Sequence, residues 1–258
     1  MKQRFVVVSD VHSHYTPLKN ALAEVNFDPD NDILISAGDL LDRGSETIET
    51  IKFILSLPKC IIVRGNHDIL MQDLLDRGYS YGHDKLNGTE KSYYQILNYY
   101  CDKLGFNKDP NDMLREVLKP LWNKMVNYCE LKEHIIVHSW IPMSSKGKYD
   151  KIYSPNSNWR EATQTEWNEA MWGNPFDLAD DGFNITNKTI CFGHWHTSSK
   201  WAKTEGISEF GKDAKFDIFY GEDYIGIDAC TAYTGEVNTL VIEDEFDEDW
   251  FKKYGDKI

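Results

Sequence analysis

The sequence predicts an α/β protein built around parallel strands. Short apolar runs recur along the chain and are continuous rather than alternating, as in strands covered on both faces. Helical stretches separate the first of these runs, giving a β-α-β-α-β opening. Each run then ends in residues that a core rejects. Polar side chains therefore collect at the carboxyl ends of the strands, where open α/β sheets bind their ligands.

The first run, FVVV at 5–8, leads into Ser9, Asp10, Val11 and His12. Residues 17–25 set Leu18, Leu22 and Val25 on one helical face, with Pro17 suited to the start. DILISA at 32–37 runs into Gly38 and Asp39, then Asp42 and Arg43. Residues 46–57 place Ile48, Ile51 and Leu55 at helical spacing behind Ser45, a suitable cap. CIIV at 60–63 delivers Arg64, Gly65, Asn66, His67 and Asp68. Residues 69–133 carry no convincing strand; ILMQDLLDRG and MLREVLKPLWNKMVNYC have helical patterns, so a helical insertion or cap is expected there. HIIV at 134–137 leads to His138, residues 141–158 read as loop, and 160–172 as helix. TICF at 189–192 ends in Gly193, His194, Trp195 and His196; YIGI at 224–227 ends in Asp228; VNTLVIED supplies a last strand.

The 258 residues suit one domain, 1–258, with a sizeable core. A formal net charge of −14 argues against nucleic acid and anionic membranes as general partners. Much of that excess lies in EDEFDEDW within 243–258, read as a solvated acidic tail. Five cysteines, with no C-x-x-C pair, argue against a disulfide framework or zinc ribbon and for a reducing compartment. The apolar run behind the basic N-terminus is too short for a signal peptide, so a cytoplasmic location is expected.

The rim residues Asp10, His12, Asp39, Asn66, His67, His138, His194 and His196 form a mixed nitrogen and oxygen donor set. Without thiolate, such a set suits two divalent ions, manganese first and iron or zinc otherwise. Two carboxylates and a bridging hydroxide leave such a centre positive toward solvent. Arg43 and Arg64 add guanidinium forks that match phosphate oxygens. His67, beside a metal-binding Asn66, is free to act as general acid, with Asp42 or Asp68 to orient it. His14, His83 and His134 read as ordinary loop, surface or core residues. Trp159, Trp167 and Trp172 read first as packing, with lining of a substrate groove as the alternative; Arg160 beside them is a phosphate contact left out of the site; and Asp228 reads either as a support for a site histidine or as a strand-end turn.

The strings SDVHSH, GDLLDRG, RGNHD, IVHSW and GHWHT, in this order over residues 9–197, resemble the motif set of the calcineurin-like metallophosphoesterases. They are most similar to the phosphoprotein phosphatase branch, with its bacterial and phage members and the symmetrical diadenosine tetraphosphate hydrolases. The resemblance implies a four-layer αββα sandwich with a helical insertion. It implies that Asp10 and His12 bind one metal, that Asp39 bridges, and that Asn66, His138 and His194 bind the second. His67 with Asp42 becomes the acid pair, Arg43 and Arg64 hold phosphate, and His196 adds a ligand to the first metal. A bridging hydroxide attacks phosphorus directly, with no phosphoenzyme. The implied substrate is a phosphoserine or phosphothreonine protein, or alternatively a dinucleoside polyphosphate or other nucleotide. Asn87-Gly88-Thr89 resembles a substrate-side segment of the branch. Ser13 stands where the family usually has Gly, and Asp68 where the protein phosphatases usually have Glu.

Overall fold

Both faces of the early apolar runs are buried. Phe5, Val7, Ile33, Ile35, Ile61 and Val63 point into one core, while Val6, Val8, Leu34, Cys60 and Ile62 point into another. Period-two alternation thus sends successive side chains into two different apolar layers, with Ser36 at the end of β2 a buried polar exception. The computed structural model describes residues 2–104, 109–146 and 152–258.

The chain runs β1 (Gln3–Val8), α1 (Tyr15–Glu24), β2 (Ile33–Ser36), α2 (Thr47–Ser56), β3 (Cys60–Val63), α3 (Asn66–Arg77), α4 (Gly82–Asn87), α5 (Thr89–Leu104), α6 (Pro110–Lys124), β4 (Met125–Val126), β5 (Cys129–Glu130) and β6 (His134–Ile136). It continues through β7 (Met143–Lys146), β8 (Ile152–Pro155), α7 (Gln164–Ala170), α8 (Pro175–Asp180), β9 (Thr189–Phe192), α9 (Thr197–Glu205), β10 (Phe219–Tyr220), β11 (Tyr224–Gly226), α10 (Thr231–Thr234), β12 (Leu240–Asp244) and α11 (Glu248–Tyr254).

One sheet has the order β12-β1-β2-β3-β4, with β1 to β4 parallel and β12 antiparallel at the edge. The other has the order β10-β11-β9-β6-β5, with β11, β9 and β6 parallel. The two sheets share one core. Helices α1, α2, α3, α5 and α6 cover the outer face of the first. Phe176 of α8 and Trp201 of α9 pack on Phe192, Phe219 and Tyr224 of the second. This is the expected order of layers: helices, sheet, sheet, helices.

Several local expectations are corrected. Among the described residues, which leave out 105–108, segment 69–133 is mainly helical to Lys124 but ends in β4 and β5, one strand in each sheet. Pairing of Val63 with Val126 and of Cys129 with Ile136 converts the end of an apparent helix into strand. The supposed loop 141–158 contains the antiparallel pair β7–β8; residues 147–151 lie outside the described residues. The acidic end is folded rather than solvated. Asp244 is buried and meets His134, Asp247 meets Lys188, and Trp250 is 2% exposed, donating from Nε1 to Tyr128 O. Ser45 is not the cap of α2, which starts after Glu46, and Pro17 lies inside the first turn of α1.

Candidate metal centre

The rim loops after β1, β2, β3, β6 and β9 meet at one place. Backbone bonds tie them together: Asp10 N donates to Gly38 O, His12 N to Asp39 O, and Gly193 N to His138 O. Among the described residues, every non-glycine with left-handed φ except Asn26 lies on these loops or at Cys230, close by. Asp10, His12, Ser13, Asp39, Asp42, Arg43 and His194 all adopt this conformation. It costs free energy and persists only where the surroundings over-determine it. Two glycines permit the close approach. A Cβ on Gly65 would lie 2.0 Å from Asp39 Oδ1, and one on Gly193 would lie 2.2 Å from Asp10 Oδ2.

Asp39 is the common member of two groups of potential ligands. One is His12, Asp39 and His67; the other is Asp39, His138 and His194; in each, the ligand atoms lie within 4.8 Å of one another. His12 Nε2 stands 3.9 Å from both Asp10 Oδ1 and Asp39 Oδ2. His138 Nε2 lies 3.4 Å from Asp39 Oδ2 and 2.7 Å from Asn66 Oδ1, and His194 Nδ1 lies 3.0 Å from the same amide oxygen. Secondary contacts orient the rings: His12 Nδ1 faces Leu41 O, and His138 Nδ1 faces Ala37 O, both at 2.9 Å. Asp10 is held by Ser9 Oγ and by His194 N.

Burial sets the protonation. It drives His12 well below the ordinary imidazole value and His194 down to about 2, so both rings are neutral, the form that binds metal. Burial also pushes the Asp39 carboxyl up to about 8, although the neighbouring His67 opposes this. Neutral imidazoles, a shared carboxylate short of positive charge, and an amide oxygen approached by two ring nitrogens fit a pair of divalent ions.

Asn66 and His67 occupy the first turn of α3 rather than the end of a strand. Their divergence therefore comes from helical rotation: Asn66 turns to His138 and His194, and His67 turns to Asp42. His67 Nδ1 and Asp42 Oδ2 are 2.9 Å apart, and an Arg43 guanidinium nitrogen is 3.1 Å from Nε2. Because guanidinium only donates, this arrangement places the imidazole proton on Nδ1, toward Asp42. Asp68 is not the orienting carboxylate; it accepts from Gly65 N in the capping box of α3. Arg64 is half-buried, and its Nε lacks a hydrogen-bond partner.

His196 does not join either group. Its Nδ1 contacts Ser198 Oγ at 2.8 Å and its Nε2 lies 3.4 Å from Glu209, because the chain turns into α9 immediately after it. Asp228 accepts from Cys230 N, which is the strand-end turn. Arg160 forms a fork on Glu130, and Trp159 and Trp167 pack on Tyr128. Trp172, grouped with them as packing, is exposed instead, with its ring 6.4 Å from that of His194. It lines a cavity of about 500 Å3 with Trp140, Ile141, Met143, Glu169 and Leu178. The motif Asn87-Gly88-Thr89 lies beneath the acid pair: Thr89 Oγ1 donates to Asp42 Oδ2 at 2.6 Å.

A family model described as "Calcineurin-like phosphoesterase" matches residues 3–198. "Serine/threonine-protein phosphatase 2" of Salmonella typhimurium is 46% identical over 70 residues, 27% of this chain and 32% of that protein. "Bis(5'-nucleosyl)-tetraphosphatase, symmetrical" of Marinomonas sp. is 35% identical over 137 residues, 53% of this chain and 44% of the relative. The protein of the same name from Coxiella burnetii is 30% identical over 179 residues, 65% and 57% respectively. The chain thus spans less than two thirds of the length of these curated relatives. In fold it is similar to a cold-active protein-tyrosine phosphatase of a Shewanella species, with a TM-score of 0.53 at 16% identity, covering 93% of this chain and 75% of that one.

Proposed function

The chain belongs to the calcineurin-like phosphoesterase family, and on that premise we propose that it is a metal-dependent phosphomonoesterase that removes phosphate from phosphoserine or phosphothreonine in proteins. The observation that carries this reading is Asp39, common to His12 on one side and to His138 and His194 on the other, with His67 turned from that cluster onto Asp42. Asp10, His12 and Asp39 would hold one ion, and Asp39, Asn66, His138 and His194 the other; manganese suits this donor set first. When bound, such ions supply positive charge to phosphoryl oxygens and a water that is nucleophilic near neutral pH.

The chain's own residues supply the rest. Arg43 is exposed beside the ligands and Arg64 is half-buried next to Asn66; both offer forked donors to phosphate oxygens. Asp42 holds the His67 ring by Nδ1 and so aims Nε2 at the rim. Arg43 donates to that Nε2 in the free protein. Phosphate that draws the guanidinium away frees Nε2 to take up a proton from solvent, and the imidazolium so formed, held by Asp42 at Nδ1, can pass that proton to the leaving oxygen. The buried ligand loops exclude bulk water from all but the open side.

A second reading is hydrolysis of dinucleoside polyphosphates. Relatives of that name match a longer stretch of the chain than the protein phosphatase does, and Trp172 lines a cavity beside His194 that could take a base. A panel with defined metals separates the two. Phosphopeptide, diadenosine tetraphosphate and an aryl phosphate are offered to metal-stripped protein with manganese restored. Faster turnover of phosphopeptide supports the first reading, and faster turnover of dinucleotide replaces it with the second. Full activity without metal rejects both.

A further inference from the structure

The Asn87-Gly88-Thr89 motif and the helix it opens have no part in the chemistry above, yet they contact the acid pair directly. We infer that Thr89 is a positioning residue that fixes Asp42, and through it His67, for proton delivery to poor leaving groups. The inference rests on the proposed acid role of His67.

Thr89 is fully buried, and its Oγ1 donates to Asp42 Oδ2, the same oxygen that meets His67 Nδ1. That bond orients the carboxylate, since the other oxygen, Oδ1, is buried with no hydrogen-bond partner. Thr89 is also the first residue of α5, so its hydroxyl is anchored on the start of a helix. One turn on, Ser92 Oγ accepts from Asp42 N at 2.9 Å. Further contacts extend the grip along the loop: Lys91 Nζ donates to Arg43 O, and Gln95 Nε2 donates to Gly44 O. Gly88 lets the helix start press against the loop, because a Cβ there would lie 2.4 Å from Arg43 N, and its φ is +82°. Asp42 and Arg43 both hold left-handed φ, so the loop has no preferred conformation of its own to fall back on. The start of the inserted helix supplies what the loop lacks.

The test compares Thr89→Val, which deletes the hydroxyl at nearly constant shape, with Thr89→Ser, which keeps it. Each is assayed with manganese on a leaving-group series from p-nitrophenyl phosphate to a phosphoserine peptide. General acid assistance matters most where the leaving oxygen is most basic. Thr89→Val should therefore lose roughly tenfold to a hundredfold in kcat on the peptide, with KM nearly unchanged, and much less on the nitrophenyl ester. Thr89→Ser should recover most of the loss, and manganese affinity by calorimetry should match the parent in both. In parallel, the Nδ1 proton of His67 in the metal-free protein should give a downfield NMR resonance that broadens in the Val variant and returns in the Ser variant. Equal losses across the series, weakened manganese binding, or an unchanged resonance in Thr89→Val would overturn the inference. If the parent protein hydrolyses no ester with any metal, the functional reading fails instead, and the resonance alone then decides whether Thr89 sets the pair.

Discussion

At the scale of single residues, Asp39 sets the terms for metal binding. Burial holds its proton up to about 8, whereas His194 is driven to about 2 and His12 is also lowered. Over the working range the imidazoles therefore have no proton to give up, and Asp39 has one. A cation must displace that proton below about pH 8, so manganese affinity should rise roughly tenfold per pH unit up to that point and then level off. Calorimetric titration at several pH values checks this; a flat profile contradicts it. The same raised value acts on stability without metal. The folded state keeps a proton that the unfolded chain releases from about pH 4, so melting temperature in chelator should fall as pH climbs toward about 8. Gly65 makes a second case. A methyl there would lie 2.0 Å from Asp39 Oδ1, so Gly65→Ala should weaken manganese binding by roughly tenfold to a hundredfold, read by the same calorimetry.

At the scale of elements, the parallel strands were legible because both faces of β1, β2 and β3 are buried, so residues such as Val6 and Val7 are apolar alike. The candidate ligands stood out for a related reason: Asp10, Asp39, His138 and His194 interrupt apolar runs at the point where the sheet meets the rim. The misreadings lie where pairing is decided far away in sequence. Met125 and Val126 have nothing in their own neighbourhood to separate them from the end of α6; Ile62 and Val63 make them a strand. The residues alone leave Asp42 and Asp68 open as partners of His67; the resemblance points to Asp42, and the direction of α3 brings His67 Nδ1 to that carboxylate. Thr89 left a faint trace, a glycine before a small hydroxyl, and the trace pointed toward substrate rather than toward Asp42. The acidic end misled because charge dominates its composition, while Trp250 does the anchoring: it is 2% exposed, stacks on Phe246, and donates to Tyr128 O. Trp250→Ala should cost about 3–5 kcal/mol in denaturant unfolding. A loss under about 1 kcal/mol would restore the view of a solvated tail.

At the scale of the whole molecule, a net charge of −14 opposes any phosphorylated substrate from a distance, and the rim cations act only nearby. Modest added salt should therefore raise kcat/KM, more for a tetraphosphate than for a monoester, before higher salt weakens the direct contacts. Initial rates against ionic strength decide this, and a steady decline from the lowest salt would show that the local cations govern approach. No helix among the described residues is long and apolar enough to cross a membrane. The placement of the ligands has a further consequence. Asp10, His12, Asp39 and Asn66 hang from one sheet, His138 and His194 from the other, so a pair of ions held among them would rivet two leaves along a single edge. Chelation should leave the hinge of shared core intact but unlatch that edge. Amide hydrogens at the open ends of β6 and β9 should then exchange with deuterium sooner than those at the far ends of the same strands.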